Sequence, residues 1–234
     1  MAGRGIFHGV GVGPGDPQLL TLKAYKIIKA ADVLAYPVNG SGISYAREIA
    51  SAVIPEDADE LPIHVPMKVE RDPARAAYDA AAGIIAGHLG AGRNVAYLCL
   101  GDPLFFGSFM YLAARLEDVH EIEVVPGVTS LSACAACAHV PLGGRSDVLS
   151  IVPATLDEAA LKSAFQGADA VAIIKIGRHF KKVRDVLRAA GLAERALILE
   201  SASGDNERVT ALEDVSEDDV PYFSTILVRR GELT

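Results

Sequence analysis

The residues able to do chemistry gather at three glycine-rich turns. The first, residues 7–17 (FHGVGVGPGDP), has glycines at 9, 11, 13 and 15 after an apolar start and closes on Asp16-Pro17. The second, residues 101–107 (GDPLFFG), and the third, residues 126–130 (PGVTS), each follow an apolar run. Glycine lets a backbone take positive φ and approach a ligand closely, so each is a candidate cofactor loop. Each also has the composition of an ordinary tight turn. Phosphate clamping is disfavoured. The dinucleotide fingerprint needs Gly-x-Gly-x-x-Gly, but counting from Gly9 or Gly11 places Pro14 or Asp16 at the last position. No Gly-Lys-Ser/Thr occurs, and Asp16 and Asp102 put negative charge where phosphates would sit. A ligand with a cationic centre and hydroxyl groups is the better match. Asp102 can accept from an amine or ribose hydroxyl. Thr129 and Ser130, at a helix N-terminus, can bind a carboxylate. Phe105 and Phe106 can flank an adenine or a sulfonium, or simply pack in the core.

Three turns converge only if their strands lie in one sheet, because ligands of open α/β sheets collect beyond the carboxyl ends of the strands. Residues 6–12 read as a buried first strand. Residues 95–100 (VAYLCL) are apolar throughout, as in a parallel sheet covered on both faces, and residues 122–125 are another strand. Thr21 is the expected cap of a helix reaching about Ala31, with Leu22, Ile27, Ile28 and Ala31 towards the core and Lys23, Lys26 and Lys29 in solvent. A short strand (33–36), a loop (37–42) and a helix (45–52) follow. Residues 61–67 carry two prolines and read as an edge strand or extended loop. Asp72-Pro73 opens a long helix striped by Tyr78, Ala81, Ala82, Ile85 and Leu89 and ended by Gly90 and Gly92. Residues 108–116 are helical, and a small-residue helix follows Ser130. Pro141-Leu142-Gly143-Gly144 breaks the pattern, placing domains at 1–143 and 144–234. Strands at 148–152, 170–176, 196–199, 209–212 and 224–228, with helices at 156–165 and 179–190, make the second half a mixed sheet. The fold class is α/β, in two domains.

The chain has 234 residues, 50% hydrophobic and 22% charged, with a formal net charge of -8. That charge argues against nucleic acid as a partner, and no apolar run reaches membrane-spanning length. Three cysteines give no disulfide framework, and a cytoplasmic location is expected. Cys134 and Cys137, with His139 nearby, lack the second pair that a structural zinc needs, so no metal is assigned.

The runs GVGVGPGDPQLLTLKA, GDPLFFGSFMYL and VVPGVTSLSACAA together resemble the tetrapyrrole methylase family over nearly the whole chain. The resemblance implies S-adenosylmethionine as methyl donor, a tetrapyrrole substrate of cobalamin biosynthesis, a homodimer, and two α/β domains with the active-site cleft between them. It implies cofactor positions at Pro14, Gly101, Asp102, Phe105, Thr129, Ser130, Ile176 and Ala202. The implied reaction is displacement at a sulfonium methyl by an electron-rich meso carbon, followed by loss of its proton. Asp102 and Tyr111 are the candidate bases, with His139 or water as alternatives. A substrate rich in carboxylates needs local cations, and Lys68, Arg71 and Arg145 are the candidates, arginine being suited to bidentate pairing. Relatives often carry Glu at Leu100 and Tyr at Phe106. A non-catalytic tetrapyrrole-binding protein therefore stays open beside the methylase reading.

Overall fold

Apolar strands alternating with amphipathic helices build two sheets. The computed structural model describes residues 5–65, 71–216 and 220–231. Packing divides the chain into two units, Met1–Thr129 and Ser130–Thr234.

In the first unit, β1 (Phe7–Gly11), β2 (Val33–Val38), β3 (Asp59–His64), β4 (Val95–Cys99) and β5 (Ile122–Val125) form one sheet in the order β3-β2-β4-β1-β5. Every pairing is parallel. Strand alternation sends Val95, Tyr97 and Cys99 to one face and Ala96 and Leu98 to the other. The first face packs against α3 (Arg71–Gly90) and α4 (Phe109–Leu116) through Tyr78, Ile85, Leu89, Phe109 and Leu112. The second packs against α1 (Leu22–Ala30) and α2 (Tyr45–Ala50) through Ala24, Ile28, Ala46 and Ile49. Thr21 caps α1, its hydroxyl accepting from the Ala24 amide at 3.1 Å. Leu22, expected on the core side, is 81% exposed. Ala24 and Ile28 carry the buried stripe, and two residues turn a helix by about 200°, which swings Leu22 to the far side. β3 lies at the sheet edge as expected; the rest of the Pro-rich segment, from Pro66, falls outside the described residues.

In the second unit, β6 (Leu149–Pro153), β7 (Ala170–Ile174), β8 (Ala196–Glu200), β9 (Arg208–Ala211) and β10 (Ser224–Arg229) take the order β6-β7-β10-β8-β9. β6 and β7 are parallel, β10 runs antiparallel to β7 and β8, and β9 antiparallel to β8. The mixed sheet follows from the short connections after β8. Helices α6 (Glu158–Phe165) and α7 (Phe180–Ala189) bury Leu161, Phe165, Phe180, Val183 and Leu187 against Val171, Ile173, Ile198 and Ile226. Helix α5 (Ser130–Ala138) packs on β10 and β8, so the packing counts it with the second unit, whereas the expected boundary at 143 left it with the first.

Candidate functional site

β4, β1 and β5 are neighbours and parallel, so the three glycine turns leave one edge of the first sheet together. They are joined backbone to backbone. The Gly101 amide donates to the Gly13 carbonyl at 2.8 Å, and the Gly13 amide returns a bond to the Gly101 carbonyl at 3.3 Å. Gly101 takes a φ of 68°, open to glycine at little cost. A Cβ on Gly127 would lie 2.1 Å from the Gly101 carbonyl oxygen, and one on Gly11 2.6 Å from the Gly127 Cα, so neither position admits a side chain. Asp102 adds a side-chain tie. Its Oδ1 accepts from the Leu104 amide at 2.9 Å, and its Oδ2 accepts from the Gly127 amide at 3.0 Å. One carboxylate thus folds its own loop and fastens it to the next. The Asp16 carboxylate accepts from the Gln18 amide and caps the short 3-10 turn Pro17–Leu19.

Several side chains border this fixed edge. Pro14, Asp102 and Phe105 are half-buried, while Leu104 and Phe106 are exposed. The Phe105 and Phe106 rings meet edge to face, 5.0 Å apart. Phe106 is 43% exposed and sits at φ 55°, a left-handed conformation that costs a non-glycine residue roughly 1–3 kcal/mol. Half-buried Thr129 directly precedes helix α5 and Ser130 opens it. Just past the second loop, the Ser108 hydroxyl lies 2.9 Å from the hydroxyl of Tyr97, a fully buried phenol whose pKa burial pushes up. Tyr111 is an exposed residue of α4, its ring 5.2 Å from that of Tyr78, and the Arg115 guanidinium donates to its carbonyl.

In the second unit, Ile176 and Ala202 are buried, Ile176 within the core, so any ligand meets them through the main chain. Both stand beside left-handed non-glycine residues: Lys175 (φ 57°) after β7, and Ser201 (φ 48°) and Ser203 (φ 64°) after β8. The resemblance implies Ser203 as an alternative to Ala202, but nothing in residue type announces the strain at Lys175, Ser201 and Ser203. Arg145 is exposed on the turn before β6. Arg71 opens α3 and is described by its backbone alone, and Lys68 lies outside the described residues. Cys134 is buried, which pushes its thiol up to about 11, and the Cys137 thiol donates to Glu207.

The family described as Tetrapyrrole (Corrin/Porphyrin) Methylases matches residues 7–215. A precorrin-2 C(20)-methyltransferase from Sinorhizobium sp is 41% identical over 97% of this chain and 97% of its own length. A cobalt-precorrin-2 C(20)-methyltransferase from Salmonella typhimurium is 32% identical, again over 97% of each chain. Among solved structures, a uroporphyrin-III C-methyl transferase from Thermus thermophilus complexed with S-adenyl homocysteine matches with a TM-score of 0.70 and 27% identity, over 96% of this chain and 92% of that one. With 41% identity across nearly its full length and the family match spanning both sheets, the chain belongs to the tetrapyrrole methylase family.

Proposed function

We propose that this chain transfers a methyl group from S-adenosylmethionine to C20 of precorrin-2, giving precorrin-3A in cobalamin biosynthesis. The observation that carries this is the 41% identity to a precorrin-2 C(20)-methyltransferase over 97% of both lengths. The residues present suit the donor. Asp102 offers carboxylate oxygens with lone pairs beyond the two amide bonds for a ribose hydroxyl or the amine. Thr129 and Ser130 place hydroxyls and a helix N-terminus where a carboxylate can bind. Phe105 offers an aromatic edge, and Pro14 and Gly101 offer main chain at the fixed apex. Ile176 and Ala202 offer main-chain groups in the second unit.

The donor supplies an electrophilic methyl group on a sulfonium. The protein's work is then orientation, and holding reacting atoms in near-attack geometry is worth ~7–11 kcal/mol. The glycine apex provides that rigidity, since its loops cannot shift independently. Asp102 acts first as the tie between two loops and, through its remaining lone pairs, as a hydrogen-bond acceptor. Proton removal from the meso carbon falls to Asp102, Tyr111 or water. Arg145, with Lys68 and Arg71, pairs substrate carboxylates. We also place the chain in the cytoplasm as a homodimer. Its three free thiols fit a reducing compartment, and no described helix is long and apolar enough to cross a membrane.

Turnover on metal-free precorrin-2, read by mass spectrometry as a gain of one methyl group, supports this function. The 32% match to a cobalt-precorrin-2 enzyme motivates the second reading. A methyl gain on the cobalt-loaded ring alone would move the assignment to that substrate. Binding of S-adenosylhomocysteine and both rings without methyl gain would contradict both assignments.

A further inference from the structure

We propose that Arg229 and Asp147 are positioning residues for substrate binding: their ion pair fixes the turn that presents Arg145 to a carboxylate of the tetrapyrrole. This rests on Arg145 as a substrate residue. Residues 144–147 close on themselves. The Asp147 amide donates to the Gly144 carbonyl at 2.8 Å, and the Gly144 amide donates to Asp147 Oδ2 at 2.8 Å. The same Oδ2 accepts from Arg229 Nη2 at 2.6 Å. Arg229 Nη1 points to the Pro141 carbonyl at 3.5 Å, at the start of the same connection. Arg229 ends β10, a central strand whose Val228 and Ile226 belong to the core, and its side chain is only 13% exposed. The guanidinium is therefore the side-chain anchor of the turn, beside the Val148 main-chain bonds that join the turn's end to Asp169 and Ala170. At its tip Arg145 and Ser146 are exposed, and Arg145 has no ion pair or hydrogen bond among the described residues.

The charges explain why the latch matters. Arg229 neutralises Asp147, which leaves Arg145 as the uncompensated cation of the turn. Without Arg229, Asp147 stands two residues from Arg145 with no partner but the Gly144 amide. It then competes with substrate for that guanidinium, and the turn loses its side-chain anchor while the Val148 main-chain bonds remain. Lysine in place of Arg229 keeps the charge but loses the planar fork.

The test is a cycle of Arg229→Met, Asp147→Asn and Arg229→Lys, each made in the wild-type and Arg145→Ala backgrounds. Arg229→Met is expected to raise the apparent KM for precorrin-2 about tenfold, the scale of one lost charge-assisted bond. The kcat and the affinity for S-adenosylhomocysteine are expected to stay within about twofold, because the latch touches neither. Arg229→Lys recovers part of the loss. In the Arg145→Ala background, Arg229→Met adds little, since coupled residues are non-additive. Asp147→Asn keeps an acceptor for the Gly144 amide but removes the ion pair without freeing a carboxylate. It is therefore expected to raise KM in the same direction by a smaller factor, and it serves as the test if Arg229→Met does not fold. An equal KM rise with Arg145 present or absent, or none at all, overturns the proposal while leaving Arg145 in place. An unchanged KM in Arg145→Ala itself removes the substrate role of Arg145 and this proposal with it.

Discussion

At the edge of the first sheet, Gly11 and Gly127 pack so closely on each other and on Gly101 that a Cβ added to either would collide with main chain. At the ends of β7 and β8, by contrast, Lys175, Ser201 and Ser203 keep full side chains in left-handed backbone, and the Ser203 amide donates to Glu207. The first arrangement is fixed by close backbone packing. The second is held against its backbone strain by hydrogen bonds, to main chain at Ser201 and to the Glu207 carboxylate at Ser203. Close packing tolerates no change of volume, whereas side-chain ties fail one bond at a time. The turns of the first unit are therefore fixed by volume and the strand ends of the second by individual bonds. The latch on the Arg145 turn belongs to the second kind.

The largest effect is expected from Gly127→Ala, which should lower stability by about 3 kcal/mol or more through overpacking against Gly101. Its counterpart is Gly167→Ala in the second unit, where φ is 74° but nothing lies within 4 Å of the added carbon. That change should cost about 1–2 kcal/mol from backbone conformation alone. Equal denaturation midpoints for the two variants would erase the contrast.

Asp102→Ala comes next. It strips the Leu104 and Gly127 amides of their acceptor; water can replace it at the exposed Leu104 amide, so the cost, about 1–3 kcal/mol, falls on the part-buried Gly127 amide. Calorimetry should show S-adenosylhomocysteine affinity falling with stability, because the same carboxylate holds two loops. Loss of affinity at unchanged stability would make Asp102 a ligand contact and not a tie. Phe106→Gly should act in opposite directions on fold and function. Relief of the left-handed strain should raise stability by about 1 kcal/mol, while loss of the exposed ring lowers kcat/KM. A fall in both would mean that the ring packs for stability.

The smallest effect is a pH dependence confined to the first unit. His8 on β1 lies opposite Glu123 on β5, with Nδ1 2.9 Å from Glu123 Oε2 but not aligned as a hydrogen bond. Lys23 binds the other Glu123 oxygen at 2.5 Å. Burial holds the His8 pKa below its ordinary 6.5, against the pull of Glu123, and Lys23 and His8 hold Glu123 below 4.5. The unfolded chain then takes up the His8 proton first. Stability present above pH 6.5 is lost as the pH falls from there towards the folded value, and Glu123 adds to the loss only below its ordinary 4.5. Urea midpoints at about pH 7.5 and 5.5 should differ less in His8→Gln than in the wild type. An unchanged difference would take His8 out of the acid response.

Much of the fold was legible because local rules governed it. Thr21 caps where a hydroxyl precedes an amphipathic run, and VAYLCL alternates between two cores because both faces of a parallel sheet are covered. Leu22 misled because hydrophobicity does not say which way the first turn of a helix faces. The three candidate loops were legible from glycine and proline alone. The tie from Asp102 to Gly127 was not, since it joins loops 25 residues apart. Arg229 and Ser201 were hidden for a related reason: their partners, Asp147 and Phe223, lie far along the chain, and their residue types are common on any surface.

The central claim is methylation at C20. Incubating the protein with precorrin-2 and S-adenosylmethionine carrying a carbon-13 methyl, and reading the product by NMR, tests it most directly. The expected result is a single labelled methyl coupled to the C20 meso carbon. Label at any other ring carbon, or none on the ring at all, would contradict it.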